Sequence, residues 1–273
     1  MKNTLFLLLL VLTANIVAAQ KTEYTTQSNI RYYPEVVYKN NAYAAERCIL
    51  DIYYPKNVKN FATLVYFHGG GITGGSKWIP EGLKDKGYAI ITVGYRLHPK
   101  VTAPTYIEDA AAAIAWAFNN VAKYGGDPSS LFVTGHSAGG YLGMMAVLDK
   151  KYLAKHNIDA NEVAGLIPFS GQCVTHFTIR QEKGIGEKQP TIDEYAPLFH
   201  VRADAPPLLL ITGDRELELL GRYEENAYLA RMMKVAGHKA TRLVEIGGYG
   251  HQMEEPAIPV LLNEVKRILE LKK

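Results

Sequence analysis

From Ala62 onward the chain alternates short β-type runs with long helical patterns, and that alternation leaves few folds open. Ala62–Phe67 is a compact β-branched and aromatic run, as strands buried on both faces are. Ser76–Lys86 reads as a helix closed by Gly87, and Tyr88–Val93 as the next strand. Pro104 opens a helical pattern reaching Tyr124 and ended by Gly125-Gly126, with an Ala110–Ala113 run suited to close helix packing. Leu131–Thr134, Val163–Phe169, Leu208–Thr212 and Thr241–Ile246 read as further strands. Ala138–Leu148, Tyr223–Val235 and Ala257–Leu271 read as helices among and after them. This order predicts an α/β class fold, a mostly parallel sheet covered by helices on both faces. Ahead of it come a polar stretch, Lys21–Tyr33, and two β-type runs, Glu35–Tyr38 and Cys48–Tyr54, read as an antiparallel edge. Gly171 to His200 lacks periodicity and reads as an insertion. No repeat or linker breaks the chain, and 273 residues suit one large domain.

Residues 1–19 stand apart. Lys2 gives a positive start, Leu5 to Leu12 is an unbroken apolar run, and Val17-Ala18-Ala19 puts small residues at a cleavage point. The run is shorter than the roughly 20 apolar residues of a membrane span. It reads as a secretory signal cut between Ala19 and Gln20, giving a secreted or periplasmic protein with no stable membrane insertion. The whole chain holds 30 basic and 27 acidic residues, intermixed, for a formal charge of +3. No basic block or helical face emerges, which argues against nucleic acid as a partner. The two cysteines, Cys48 and Cys173, suit either a disulfide in an exported protein or two buried thiols. They make no zinc pattern, and no other metal or cofactor site is expected.

The chemistry gathers at the carboxyl ends of the strands. Gly135-His136-Ser137-Ala138-Gly139 follows a strand and opens a helix, the context that gives Gly-x-Ser-x-Gly its meaning. The turn lifts the Ser137 hydroxyl above the sheet. A hydroxyl needs a base. Of the eight histidines, His251 follows the final strand, in Gly247-Gly248-Tyr249-Gly250-His251, on the same sheet edge as Ser137. His68 and His136 read as scaffold, and His98, His156, His176, His200 and His238 as loop or helix-end residues. His68-Gly69-Gly70-Gly71 ends the strand Ala62–Phe67. Its Gly70 and Gly71 N–H groups, with that of Ala138, are the candidate donors for an oxyanion.

Together these motifs resemble the α/β-hydrolase superfamily, and within it the hormone-sensitive-lipase-like and bacterial carboxylesterase branch. Tyr95-Arg96-Leu97, Glu108-Asp109-Ala110 and Gly125-Gly126-Asp127-Pro128 are similar to that branch too. Phe169-Ser170-Gly171-Gln172 through Ile179 looks most like esterases related to feruloyl and acetyl-xylan esterases. The resemblance implies an eight-stranded sheet, a Ser-His-acid acyl-enzyme mechanism, no cofactor, and a small-molecule or oligosaccharide ester substrate with short acyl groups or a carbohydrate alcohol. It also implies that part of a cap lies at about 171–200. Gln252-Met253 departs from the family's usual Gly-Phe. The acid belongs after Leu208–Thr212, in Gly213-Asp214-Arg215-Glu216-Leu217-Glu218. The family's acid is usually the second of a Gly-Asp-x-Asp run, a register that falls on Glu216, with Asp214 the alternative. Glu218 is assigned to solvent or to capping the next helix.

Other classes fit less well. Gly69-x-Gly71-x-x-Gly74 matches a dinucleotide fingerprint, but the next strand runs into Gly94-Tyr95-Arg96 without the acid that a ribose requires. Gly70 to Gly75 with Ser76-Lys77 has Ser and Lys in the wrong order for a phosphate loop. A serine peptidase remains a rival on this fold, as does a non-catalytic binding protein.

Overall fold

The computed structural model describes residues 22–219 and 221–272. The export signal read in residues 1–19 lies outside them. The strands are β1 (Tyr24–Arg31), β2 (Ile49–Pro55), β3 (Phe61–Phe67), β4 (Ala89–Val93), β5 (Gly126–His136), β6 (Gly165–Phe169), β7 (Leu208–Gly213) and β8 (Thr241–Ile246). The helices are α1 (Glu35–Asn40), α2 (Ala42–Arg47), α3 (Thr105–Tyr124), α4 (Ala138–Leu148), α5 (Lys151–Ala154), α6 (Phe177–Glu182), α7 (Arg222–Val235) and α8 (Glu254–Leu271). The strands form one 8-stranded sheet in the order β1-β2-β4-β3-β5-β6-β7-β8. β1 and β2 add antiparallel to one edge, and every pair from β4–β3 to β7–β8 is parallel.

Alternation along each strand divides the core. Val65, Phe67, Ile91, Val93, Leu131 and Val133 pack with residues of α3, α4 and α7 on one face. Leu64, Tyr66, Ile90, Phe132, Ile167 and Phe169 pack against α8 on the other. Tyr66 Oη and Glu254 are joined by a hydrogen bond across that second layer. Both layers leave the carboxyl ends of β3, β5, β7 and β8 converging on one rim, where the chemistry gathers.

Four readings of the sequence need correction. Glu35–Tyr38 is helical, not extended: Pro34 opens the turn, Glu35 sits in its first turn, and Tyr38 Oη accepts from Tyr32 N and Tyr33 N. Ser76–Lys86 is mostly loop with a short 3₁₀ turn at Glu81–Leu83; Pro80 and Gly82 interrupt a longer helix, and Asp85 sits at φ 59°. The polar stretch contains β1, whose exposed side chains hide it. Its backbone pairs with β2 through a bulge at Asn29, whose N–H donates to Asp51. Helix α8 starts at Glu254 rather than Ala257, because Pro256 falls in the first turn, where no N–H is needed. Cys48 and Cys173 are free, buried thiols. Burial pushes the Cys48 thiol up to about 12.

Candidate active site

Ser137 is the hinge between β5 and α4 and holds φ 55°, ψ −118°. The strain is tolerated because the flanking glycines let chains meet: a Cβ at Gly139 would lie 2.0 Å from the Phe67 carbonyl oxygen, and one at Gly135 2.6 Å from it. Ser137 N donates to Phe169 O at 2.8 Å, tying the elbow to β6. The Ser137 hydroxyl donates to His251 Nε2 at 2.9 Å.

The carboxylate against His251 is Glu218. His251 Nδ1 donates to Glu218 Oε1 at 2.6 Å, and the acid's side chain is almost wholly buried. The expected Glu216 does not reach the histidine. After β7 the chain makes one tight turn, with Leu217 N and Glu218 N both donating to Asp214 O. That turn leaves Glu216 exposed and swings Glu218 back under the rim. Asp214, the alternative, is committed elsewhere: its oxygens accept from Glu216 N at 3.0 Å and Gly248 N at 2.9 Å. It braces the histidine loop, and Asp214 N donates to Tyr249 O at 2.6 Å.

Ser170, which the sequence did not single out as a site residue, completes this group. It is fully buried and held at φ 47°. Its hydroxyl donates to Glu218 Oε2 at 2.6 Å and lies 3.0 Å from His251 Nδ1, so the Nδ1 proton is shared between Glu218 and Ser170. Glu218 also accepts from Gly213 N and Leu219 N. Burial alone would push its carboxyl up, but the His251 and Ser170 hydrogen bonds outweigh that and hold it at about 2. Helix α7 fixes Ser170 from behind: Arg222 donates to the Ser170 carbonyl, and Asn226 Nδ2 to the Gly171 carbonyl at 2.9 Å. A serine at positive φ on a strand end was the one signal that could have marked it, and φ is invisible in sequence. Ser170→Ala should lower kcat about tenfold with KM unchanged, the effect of one hydrogen bond to a charged group. Esterase kinetics on p-nitrophenyl acetate would check this, and an unchanged kcat would deny Ser170 a positioning role.

The oxyanion candidates lie across from this group. Gly70 and Gly71 take φ 109° and 63°. The N–H groups of Gly70, Gly71 and Ala138 donate to no backbone acceptor among the described residues. Gly69 packs on the elbow, where an added Cβ would lie 3.4 Å from Ser137 Cβ. Helix α6, in the stretch read as a cap, closes over the glycine loop, with Thr178 Oγ1 donating to Gly71 O at 2.5 Å. Glu182 ties α6 to the loop before α3 by accepting from Ala103 N, and to α3 itself by accepting from Tyr106 Oη.

His68 and His136 are scaffold. His68 stacks on Tyr95 at 4.3 Å, and burial lowers it to about 4. His136 Nε2 donates to His251 O at 2.8 Å, and burial together with the neighbouring His251 lowers it to about 4. Asp109 is fully buried and accepts from Arg96 N, Nε and Nη2 and from Tyr33 Oη, which fixes the strand end beside the glycine loop. Among the described residues, no group of His, Cys, Asp or Glu could hold a metal ion, and no helix is long and apolar enough to cross a membrane.

Comparison with known proteins identifies the family and agrees with the fold. The BD-FAE family matches residues 50–219. The chain is 31% identical over 169 residues to the probable carboxylic ester hydrolase LipM of Mycobacterium tuberculosis, covering 53% of this chain and 39% of LipM. It is 27% identical over 261 residues to esterase LipC of the same organism, covering 80% of this chain and 62% of LipC. It therefore spans less than two thirds of either relative. Among solved structures, a truncated carbohydrate esterase from gut microbiota superposes with TM-score 0.70 at 21% identity, covering 92% of this chain and 98% of that one. The fold is that of the α/β-hydrolase esterases.

Proposed function

The chain belongs to the BD-FAE family, and from that premise we propose that it is a serine carboxylic ester hydrolase acting on short-acyl or carbohydrate-linked esters. The observation that carries this reading is the unbroken chain Ser137 Oγ–His251–Glu218, facing backbone N–H groups that donate to no backbone acceptor among the described residues. Ser137 Oγ attacks the ester carbonyl carbon as His251 Nε2 takes its proton. The oxygen that gains the charge is held by the Gly70, Gly71 and Ala138 amides. His251 then protonates the departing alkoxide, leaving the acyl group on Ser137. Water, deprotonated by His251, attacks the acyl-enzyme and releases the acid and free Ser137. Glu218 holds the histidine tautomer and stabilises the imidazolium. Hydrolysis of p-nitrophenyl acetate by the wild-type protein tests the reading, and inactivity on it and on a panel of short-acyl esters would favour a non-catalytic binder.

The cap bears on substrate size. Helix α6 spans only Phe177–Glu182, and Phe177 packs against Gly71, so among the described residues no broad amphipathic lid covers the site. A preference for short acyl groups on soluble esters follows, without interfacial activation. Rates across p-nitrophenyl esters of increasing chain length, and on triglyceride emulsions, check this; a maximum on long-chain emulsions would contradict it.

Export is part of the same proposal. Removal of residues 1–19 would leave a chain beginning just ahead of β1, with both thiols buried. N-terminal sequencing of protein recovered outside the cytoplasm would locate the cut, and a retained Met1 would refute it.

A further inference from the structure

Single exposed aromatics are ordinary on protein surfaces, but Trp78 and Tyr249, 42% and 48% exposed, line the same cavity. Its volume is about 380 Å³. Trp78 follows the glycine loop that carries the oxyanion donors. Tyr249 and Gln252 flank His251 in the chain, and Glu254 and Glu255 come from the first turn of α8. The cavity thus lies between the segment that follows the oxyanion loop and the loop that carries His251. Its walls are fixed: the Trp78 ring stands edge-on to Tyr66, with centroids 5.5 Å apart, and Tyr66 Oη is hydrogen-bonded to Glu254.

We propose that this cleft is a subsite for uncharged sugar residues, on the alcohol side of the ester. The proposal rests on the esterase reading for its position: the group that protonates the leaving alkoxide is His251, so the alcohol departs on the histidine side, whereas α6 covers Gly71. Recognition follows from the lining. Exposed aromatic faces take the C–H faces of a pyranose, and the Gln252 amide and the carboxylates are donors and acceptors for its hydroxyls. No basic side chain lines the cavity, while Glu81, Glu254 and Glu255 do; Glu81 pairs with Lys84, and Glu254 lies 4.0 Å from His136, a ring that burial lowers to about 4 and so leaves uncharged at neutral pH. With Glu81 offset by Lys84, the carboxylates of Glu254 and Glu255 leave the lining negative, which disfavours uronic acids and phosphorylated sugars.

Binding can be measured without turnover. The full-length Ser137→Ala protein would be titrated calorimetrically with xylotetraose, cellotetraose and tetragalacturonate. Tryptophan fluorescence would be followed in parallel, since Trp78 is one of two tryptophans. At least one neutral tetrasaccharide should bind saturably, tetragalacturonate should not, and adding Trp78→Ala or Tyr249→Ala should weaken binding about tenfold. Circular dichroism of each variant separates lost binding from lost fold. Should neither neutral sugar bind, should Trp78→Ala and Tyr249→Ala both bind as before, or should tetragalacturonate bind as tightly, the subsite is wrong. The wild-type assay on p-nitrophenyl acetate keeps the two ideas apart. Hydrolysis without sugar binding overturns the subsite alone, and sugar binding without hydrolysis of any ester overturns the esterase reading while leaving a sugar-binding cleft.

Discussion

Ser137→Ala should lose about 10³-fold or more in kcat. The loss arises because, among the described residues, the other hydroxyl bonded to His251 cannot take its place. Ser170 Oγ is spent on Glu218 and faces Nδ1 of the histidine, the nitrogen that does not accept the nucleophile's proton. The fold should survive, since the substitution removes one oxygen and leaves the Ser137 N to Phe169 O hydrogen bond intact. Alanine also keeps a Cβ at a backbone conformation the elbow already imposes. Matched circular dichroism spectra with kcat on p-nitrophenyl acetate make the measurement. A variant retaining more than about a tenth of wild-type kcat, against the losses seen for nucleophile knockouts, would remove Ser137 from the mechanism.

Glu218→Gln should lower kcat by about 10² to 10⁴-fold, toward the loss that follows when a histidine is held in the wrong tautomer. The amide can present an N–H to Nδ1 where the carboxylate presents a lone pair, and it cannot stabilise the imidazolium. Glu216→Gln should stay near wild type because Glu216 is exposed and does not approach His251. Asp214→Asn should cost less than Glu218→Gln, acting through the brace to Gly248 N rather than through charge. If Glu216→Gln proves the crippled variant, the tight turn after β7 is not the arrangement the protein uses. A second readout follows from the titration of Glu218. Its carboxyl moves from 4.5 to about 2 on folding. A depressed carboxylate stabilises the fold above its unfolded value and loses that contribution as pH falls through its folded value. The Tm advantage of wild type over Glu218→Gln should therefore shrink between about pH 5 and pH 2; a constant gap would show that Glu218 is not so held.

The parts of the site that depend on chain topology were legible in the sequence. Parallel strands share their carboxyl ends, so a serine after β5 and a histidine after β8 had to meet on one rim, and the structure joins Ser137 to His251. The glycine loop after β3 followed from the same logic. The acid was misplaced because its position depends on how a short loop turns. Asp214 and Glu216 occupy the family's usual spacing, but the hydrogen bonds of Leu217 and Glu218 to Asp214 O close a turn that puts the longer side chain inward two residues later. Glutamate reaches from there where aspartate would not. The fold errors have a similar origin. β1 shows no apolar alternation because it is an edge strand exposed along most of its length, and the span Ser76–Lys86 has helical periodicity that Pro80 and Gly82 defeat.

The acid and the base sit at the ends of neighbouring strands, and β8 is the outermost of the pair. Its residues are mostly half-exposed, and beyond it no further strand pairs among the described residues. Local opening of an edge costs less than global unfolding. If β8 frays, His251 leaves Glu218 and Ser170 while β3 to β6 and their helices stay packed. Catalytic competence would then be lost before cooperative melting, as a sub-global event. In a urea titration activity should fall at lower denaturant than the far-ultraviolet signal, and amide exchange should be faster in β8 than in β5; coincident transitions would mean that the edge is as cooperative as the centre.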